Sequence, residues 1–266
     1  MSKSNLLIGA VSTNYTPDDI KLWVKTSNWD DCDRILLLYK ASDQHDNLTL
    51  YLKENNIGIV YPTFDFWGNP KDDFLANTGM CDLSTSFHLV HNIRFFHIWN
   101  FLNFNSFSYK KILITDVRDV YFNSDPFIQL ADDKLTVTDE RITYNADAWN
   151  TEHLRYNLGL IGMQYLFDKN VFNVGVFGGS ADLVKDMCSD IYLLSCGKHK
   201  VADQTSFNYL IQTKYKDVTN FTDDIAIHLH VVSTGLTQFD FNTLPTYSIV
   251  HQHDRIPELK KVTEAL

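Results

Sequence analysis

Three apolar runs near the start of the chain, Leu6–Val11, Arg34–Tyr39 and Gly58–Tyr61, alternate with two segments of helical spacing. This alternation constrains the fold more than any other feature. Short apolar runs bounded by polar residues read as buried strands. Thr16-Pro17-Asp18-Asp19 is a helix start, with Ile20, Leu22, Trp23 and Val24 as the buried face. A second helical spacing runs from about Asp43 to Asn55. Strand, helix, strand, helix, strand is the order of a parallel sheet with crossover helices.

The segment Lys110–Phe122 carries the chemistry. Ile112-Leu113-Ile114-Thr115 reads as a further buried strand, followed at once by Asp116-Val117-Arg118-Asp119. Acids at the carboxyl end of such a strand stand where open α/β sheets bind ligands, and paired carboxylates suit a divalent cation. The plainer alternative is a strand and a turn, with Asp119 pairing Arg118 or capping a helix. Upstream, Ser84–Phe104 is the most regular helical pattern, with Phe87, Val90, Ile93, His97, Ile98, Phe101 and Leu102 at near-helical intervals. Residues 64–82, which include Gly68, Pro70 and Gly79, read as a long loop.

The second half is less regular. Leu135–Thr138, Val171–Gly179, Ile225–Val232 and Tyr247–His251 read as strands. Residues 149–167 read as loop and helix, and Ala181–Leu194 and Ala202–Gln212 as helices. No internal repeat or linker interrupts the 266 residues, which fits one domain over 1–266.

Composition removes several classes of function. A hydrophobic content of 44% supports a sizeable core, and a net charge of −10 argues against a nucleic-acid partner. The cysteines Cys32, Cys81, Cys188 and Cys196 form no CxxC pair, so neither a zinc knuckle nor a disulfide framework is expected, and a reducing compartment fits best. The first apolar run is too short for a membrane span. The expectation is a soluble, cytoplasmic protein, in the host cytoplasm if the source is viral.

Four features fall at the ends of apolar runs, in order: Asp116/Asp119, Phe172-Asn173-Val174-Gly175-Val176, Asp203-Gln204, and His251. Together they resemble the GT-A glycosyltransferases, which use nucleotide-diphosphate sugars. The wording Asp-Val-Arg-Asp-Val, Ser-Asp-Pro-Phe and Val-His-Gln-His-Asp-Arg-Ile-Pro-Glu-Leu looks closer still to a bacterial and large-DNA-virus branch of such enzymes. The resemblance spans about residues 6 to 259. It implies an α/β fold of GT-A type: a Rossmann-like central mixed, mostly parallel sheet flanked by helices.

The resemblance also implies roles. Asp116, Asp119 and His251 would hold the metal, Mn²⁺ or Mg²⁺, with the imidazole favouring Mn²⁺. The acids are spaced D-x-x-D rather than D-x-D, which leaves open which binds the metal directly and which touches the ribose. Arg94 would brace the acid pair, or carry its head into solvent. Thr13, Asn14 and Tyr15 would meet the nucleoside, or form a surface turn. Asn173 would bind the donor sugar or satisfy neighbouring backbone, with Gln204 beside it. Asp203 would be the catalytic acid/base group, or a helix N-cap. Trp67 and Trp149 would stack on sugars, with acceptor selectivity in the irregular segments 64–82 and 139–170.

The implied reaction is transfer of a hexose or pentose from a nucleotide-diphosphate sugar, UDP-linked, to a hydroxyl of a glycan acceptor. Two other readings compete. His228/His230 and His251/His253 are two HxH pairs, and alternate strand residues share a face. Four imidazoles would make a zinc or iron site for a metallohydrolase or oxygenase. A non-catalytic sugar-nucleotide-binding protein is the third.

Overall fold

The computed structural model describes residues 3–11, 15–39, 47–62, 90–105, 109–198, 200–233, 235 and 240–264. The loop expected at 64–82 and the start of the helix expected from Ser84 lie outside these, as do Thr13, Asn14, Trp67 and Cys81.

The expected alternation is present. Strands β1 (Asn5–Val11), β2 (Cys32–Leu38) and β3 (Gly58–Val60) run parallel, with helices α1 (Pro17–Thr26) and α2 (Asn47–Glu54) between them. α1 opens as its sequence dictates: Pro17 fills the first turn, and the Asp19 carboxylate accepts the Thr16 backbone N–H at 2.7 Å. Helix α3 (Val90–Asn105) then leads to β4 (Lys111–Thr115), which pairs parallel with β1 on the side away from β2. Ile112, Leu113 and Ile114 are at most 1% exposed. Full burial of such side chains is worth about 1.5–3 kcal/mol each, so this strand has a single stable place, at the centre of the sheet.

The sheet is completed by β6 (Leu135–Thr143), β7 (Asn170–Ser180) and β8 (Thr219–Thr222), in the seven-stranded order β3-β2-β1-β4-β7-β6-β8. Only β7 runs against the others. From Val171 to Gly179 every residue of β7 is buried, as a near-continuous apolar run requires of a central strand. Helices α4 (Ala148–Leu166), α5 (Ala181–Ser195) and α6 (Asp203–Gln212) belong to this half. α4 covers most of the segment expected to be loop and helix, and its regular geometry breaks at Gly159, where φ is 56°.

A second, three-stranded sheet has the order β5-β10-β9, from β5 (Val120–Phe122), β9 (Ala226–His228) and β10 (Ile249–His251). Here the sequence expectation needs correction. The run Ile225–Val232 is not one strand: β9 stops at His228 and a short helix, α7 (Leu229–Ser233), follows. Leu229 packs with Tyr247 and Val250, whereas Val231 packs with Tyr144 and Leu154. Two apolar positions committed to different clusters favour a helical turn over the local β propensity. The chain ends in helix α8 (Pro257–Glu264). Among the described residues no helix is long and apolar enough to cross a membrane.

Candidate active site

β1 turns toward β2 and β3, while β4 lies on the opposite side, so the order reverses between β1 and β4. In open α/β sheets ligands bind in the crevice at such a point, beyond the carboxyl ends of the strands. A cavity of about 730 Å³ opens there. Ala10 and Tyr15 line it from the β1 side, Asp116–Asp119 from β4, His91 and Arg94 from α3, and Asn173–Gly175 from β7. Because β7 is antiparallel, its first half meets the end of β4: the Asp116 N–H donates to Gly175 O at 2.7 Å.

Asp116, Asp119 and His251 come together in this cavity. Each offers one ligand atom, and the three atoms lie within 4.8 Å of one another. His251 Nε2 is 3.4 Å from Asp116 Oδ2 and 3.7 Å from Asp119 Oδ1. Two adjacent structures deliver them. Trp23 Nε1 donates to Thr115 Oγ1 at 2.9 Å, pinning the end of β4. Gln252, left-handed at φ 61°, donates its N–H to Asp119 O at 2.7 Å and so draws the end of β10 to the acid pair.

The residues fit a divalent cation. His251 Nε2 is buried and makes no hydrogen bond among the described residues, yet it faces two carboxylates. A buried imidazole nitrogen left so costs free energy unless something coordinates it. Two oxygen donors and one nitrogen suit Mn²⁺ better than Mg²⁺.

The charges are arranged around Arg94. Its guanidinium contacts Asp116 Oδ1 and lies 3.3 Å from Asp203 Oδ2. Burial acts to raise the Asp116 carboxyl, but Arg94 and His251 outweigh it and hold the group well below the usual carboxylate range. Burial would lower Arg94, but Asp116 and Asp203 more than restore its charge. Among the described residues no arginine is hydrogen-bonded to Asp119: burial pushes its carboxyl up against the lowering effect of His251, and the charge of Asp116 adds to the rise. Burial likewise raises Asp203, against Arg94. The plainer alternative for Arg94, a solvated head group, is not what the structure shows: the residue is 6% exposed.

The sequence did not single out a further buried acid of the cavity. Glu140, on β6, is 5% exposed and lines the cavity. Its Oε1 accepts from Asn173 Nδ2 at 2.5 Å and from Gln204 Nε2 at 3.0 Å. Those two amides are held in turn by β7, where Asn173 Oδ1 accepts from Gly175 N and Gln204 Oε1 from Val174 N. Burial raises the Glu140 carboxyl to about 7, against the lowering effect of both amides. The expected strand Leu135–Thr138 runs on to Thr143, and the acid lies in that extension. Asn173 and Gln204 therefore serve first as the seat of Glu140, each keeping some hydrogen-bonding capacity toward the cavity.

Asp203 is the first residue of α6, with Ala202 at the N-cap. Its Oδ1 accepts from Gln204 N at 2.8 Å and its Oδ2 faces Arg94. Tyr15 lines the cavity half-buried, and Trp149 stands at its edge, stacked on His153 at 3.8 Å between ring centroids.

The four-histidine site does not form. His228 is buried on β9, His230 lies on α7, and His253 follows the Gln252 turn in a short 3₁₀ segment against Tyr121. The left-handed residue breaks the alternation that would have put His251 and His253 on one face. His228 instead pairs directly with His251, Nδ1 to Nδ1 at 2.9 Å. Burial and the charge of His251 hold His228 well below its ordinary range. Among the described residues, Asp116, Asp119 and His251 are the one cluster with metal-ligand geometry.

Neither a family model nor a curated protein matches the sequence. Solved structures do match the fold. The glycosyltransferase GlyE of Streptococcus pneumoniae TIGR4 superposes with a TM-score of 0.54 at 15% identity, and its apo form with 0.56 at 14%. Each comparison covers 99% of this chain and 61% of the other, so the chain spans about three fifths of the length of those proteins. The seven-stranded, mostly parallel sheet with flanking helices is a GT-A-like glycosyltransferase fold.

Proposed function

We propose that the chain is a metal-dependent glycosyltransferase that moves a hexose or pentose from a nucleotide-diphosphate sugar, UDP-linked, to a hydroxyl of a glycan acceptor. The observation that carries this reading is the convergence of Asp116, Asp119 and His251 at the β1/β4 crevice. The fold shared with a glycosyltransferase supports it.

Asp116, Asp119 and His251 would hold Mn²⁺, or Mg²⁺, which as a Lewis acid neutralises the charge that develops on a departing diphosphate. Arg94 keeps Asp116 ionised and fixed in place. Thr13, Asn14 and Tyr15 would meet the nucleoside; of the three, Tyr15 lines the cavity. Glu140, Asn173 and Gln204 make a hydrogen-bonded polar group in the cavity lining, where sugar hydroxyls would be read. Asp203 takes the acceptor proton if the reaction inverts, and a carboxyl raised by burial is better matched to that task than an exposed one. If the reaction retains configuration, Asp203 binds a sugar hydroxyl instead.

The test is titration calorimetry with UDP, GDP and their sugars, with and without Mn²⁺. Metal-dependent binding of a nucleotide sugar is expected, and its absence for every nucleotide would sink the reading. Asp203→Asn should keep nucleotide affinity while turnover falls, which also separates an enzyme from a silent binder. Normal turnover in that variant would remove Asp203 from the mechanism.

A further inference from the structure

His228 does not line the cavity, yet its ring is aimed at the metal-facing histidine. Thr138 Oγ1 lies 3.1 Å from Val176 O and 2.8 Å from His228 Nε2. A carbonyl cannot donate, so the one hydroxyl proton of Thr138 goes to Val176 and its oxygen accepts from His228 Nε2–H. His228 is 2% exposed and, among the described residues, no carboxylate is hydrogen-bonded to it, so the ring is neutral, with its only proton on Nε2. Its Nδ1 is therefore an acceptor. The 2.9 Å contact to His251 Nδ1 then requires His251 to carry a proton on Nδ1. In the neutral His251 ring this leaves the lone pair on Nε2, the atom that faces Asp116 and Asp119.

We infer that His228, set by Thr138 and the Val176 carbonyl, is a positioning residue that locks His251 in the tautomer and orientation needed to coordinate a divalent cation through Nε2. The inference rests on the metal-site reading above and deepens it. A ligating histidine ordinarily hands its second N–H to a carboxylate, carbonyl or water. Here a neutral imidazole takes that place, which orients His251 without adding another carboxylate to a pocket already lined by Asp116, Asp119, Glu140 and Asp203. Registered parallel pairing makes the arrangement rigid: His228 on β9 is directly opposite His251 on β10.

Two measurements test this. In metal-free protein, ¹⁵N chemical shifts of the imidazoles should show His228 protonated at Nε2 alone, and neutral His251 protonated at Nδ1. Titration with Mn²⁺ alone, followed by electron paramagnetic resonance of the free ion, should then give an affinity about 10–100-fold weaker for His228→Phe, which keeps an aromatic ring but no acceptor. His228→Asn, whose carbonyl oxygen can accept the Nδ1 proton, should recover most of the loss. If His228→Phe fails to fold, Thr138→Val carries the test, because it frees His228 to reverse its protons. A neutral His251 protonated at Nε2, wild-type Mn²⁺ affinity in His228→Phe, or no recovery in His228→Asn would each overturn the inference. Failure of the wild type to bind Mn²⁺ would overturn the metal site itself and the positioning role with it. That result is distinguishable, since the tautomers are read without metal.

Discussion

The Asp116 carboxylate occupies the space that a side chain on Gly175 would need. A Cβ added to Gly175 would lie 2.5 Å from Asp116 Oδ2 and 2.8 Å from Asn173 Oδ1. No real Cβ approaches oxygen so closely; Arg94 holds the Asp116 carboxylate through its other oxygen, Oδ1, and the Gly175 N–H holds Asn173 Oδ1. Gly175→Ala should therefore displace the acid rather than disrupt the sheet. The expected outcome is at least a tenfold loss of Mn²⁺ affinity, about 1.4 kcal/mol, with the far-ultraviolet circular dichroism unchanged. Equal affinities for the variant and the wild type would show that Asp116 is not fixed by this contact.

Asp119 lies beside another carboxylate, and among the described residues no arginine is hydrogen-bonded to it. Asp119→Asn should leave the metal-free protein at least as stable as the wild type, because it removes a buried charge next to Asp116. A cation present at a hundred times its dissociation constant stabilises a binding protein by about 2.7 kcal/mol. Thermal melts with Mn²⁺ should show that gain in the wild type and none in Asp119→Asn.

Glu140 gives stability a pH dependence with a definite sign. Its carboxyl is raised to about 7 in the folded chain against an ordinary 4.5. The folded state thus binds the proton more tightly than the unfolded state. The resulting stability is complete below pH 4.5 and is lost as pH rises to about 7. The difference corresponds to roughly 3 kcal/mol. Glu140→Gln keeps an oxygen for Asn173 and Gln204, so urea unfolding of this variant should lack that decline. Parallel pH profiles for the two proteins would refute the assignment.

Arg94 is the one buried cation hydrogen-bonded to both Asp116 and Asp203 among the described residues. Removing a single partner from a buried ion pair costs about 3–5 kcal/mol. Arg94→Met should lose that much at neutral pH and recover part of it when combined with Asp203→Asn. A double-mutant cycle in urea measures the coupling, and simple additivity would argue against it.

The alternating first half and the position of β4 were legible because burial on both faces leaves a plain apolar signature, and Asp116 and Asp119 stand where that signature stops. Asn173 could be picked out as a lone amide inside an apolar strand, Asp203 and Gln204 as a polar helix start, and His251 as the end of an apolar run. What the sequence hid depends on partners distant along the chain. Glu140 follows Asp139 in a strand whose pairing with β7 shifts register nearby, so no clean alternation marks it. The hydrophobic run through His228 and His230 looked like one strand, and only packing into separate clusters divides it. The seat that Asn173 and Gln204 make for Glu140 joins three elements, a relationship that no local pattern encodes.

The three-stranded sheet also sets an order in time. The last strand of the main sheet, β8, ends at Thr222, while the imidazole that completes the acid pair arrives only with β10. Chains emerge from the ribosome amino end first and begin folding as they emerge. A nascent chain can thus assemble its main sheet while still unable to hold a metal ion, and it acquires that ability when β10 docks between β5 and β9. A chain cut after Tyr247 would be left with an acid pair but no imidazole to close it.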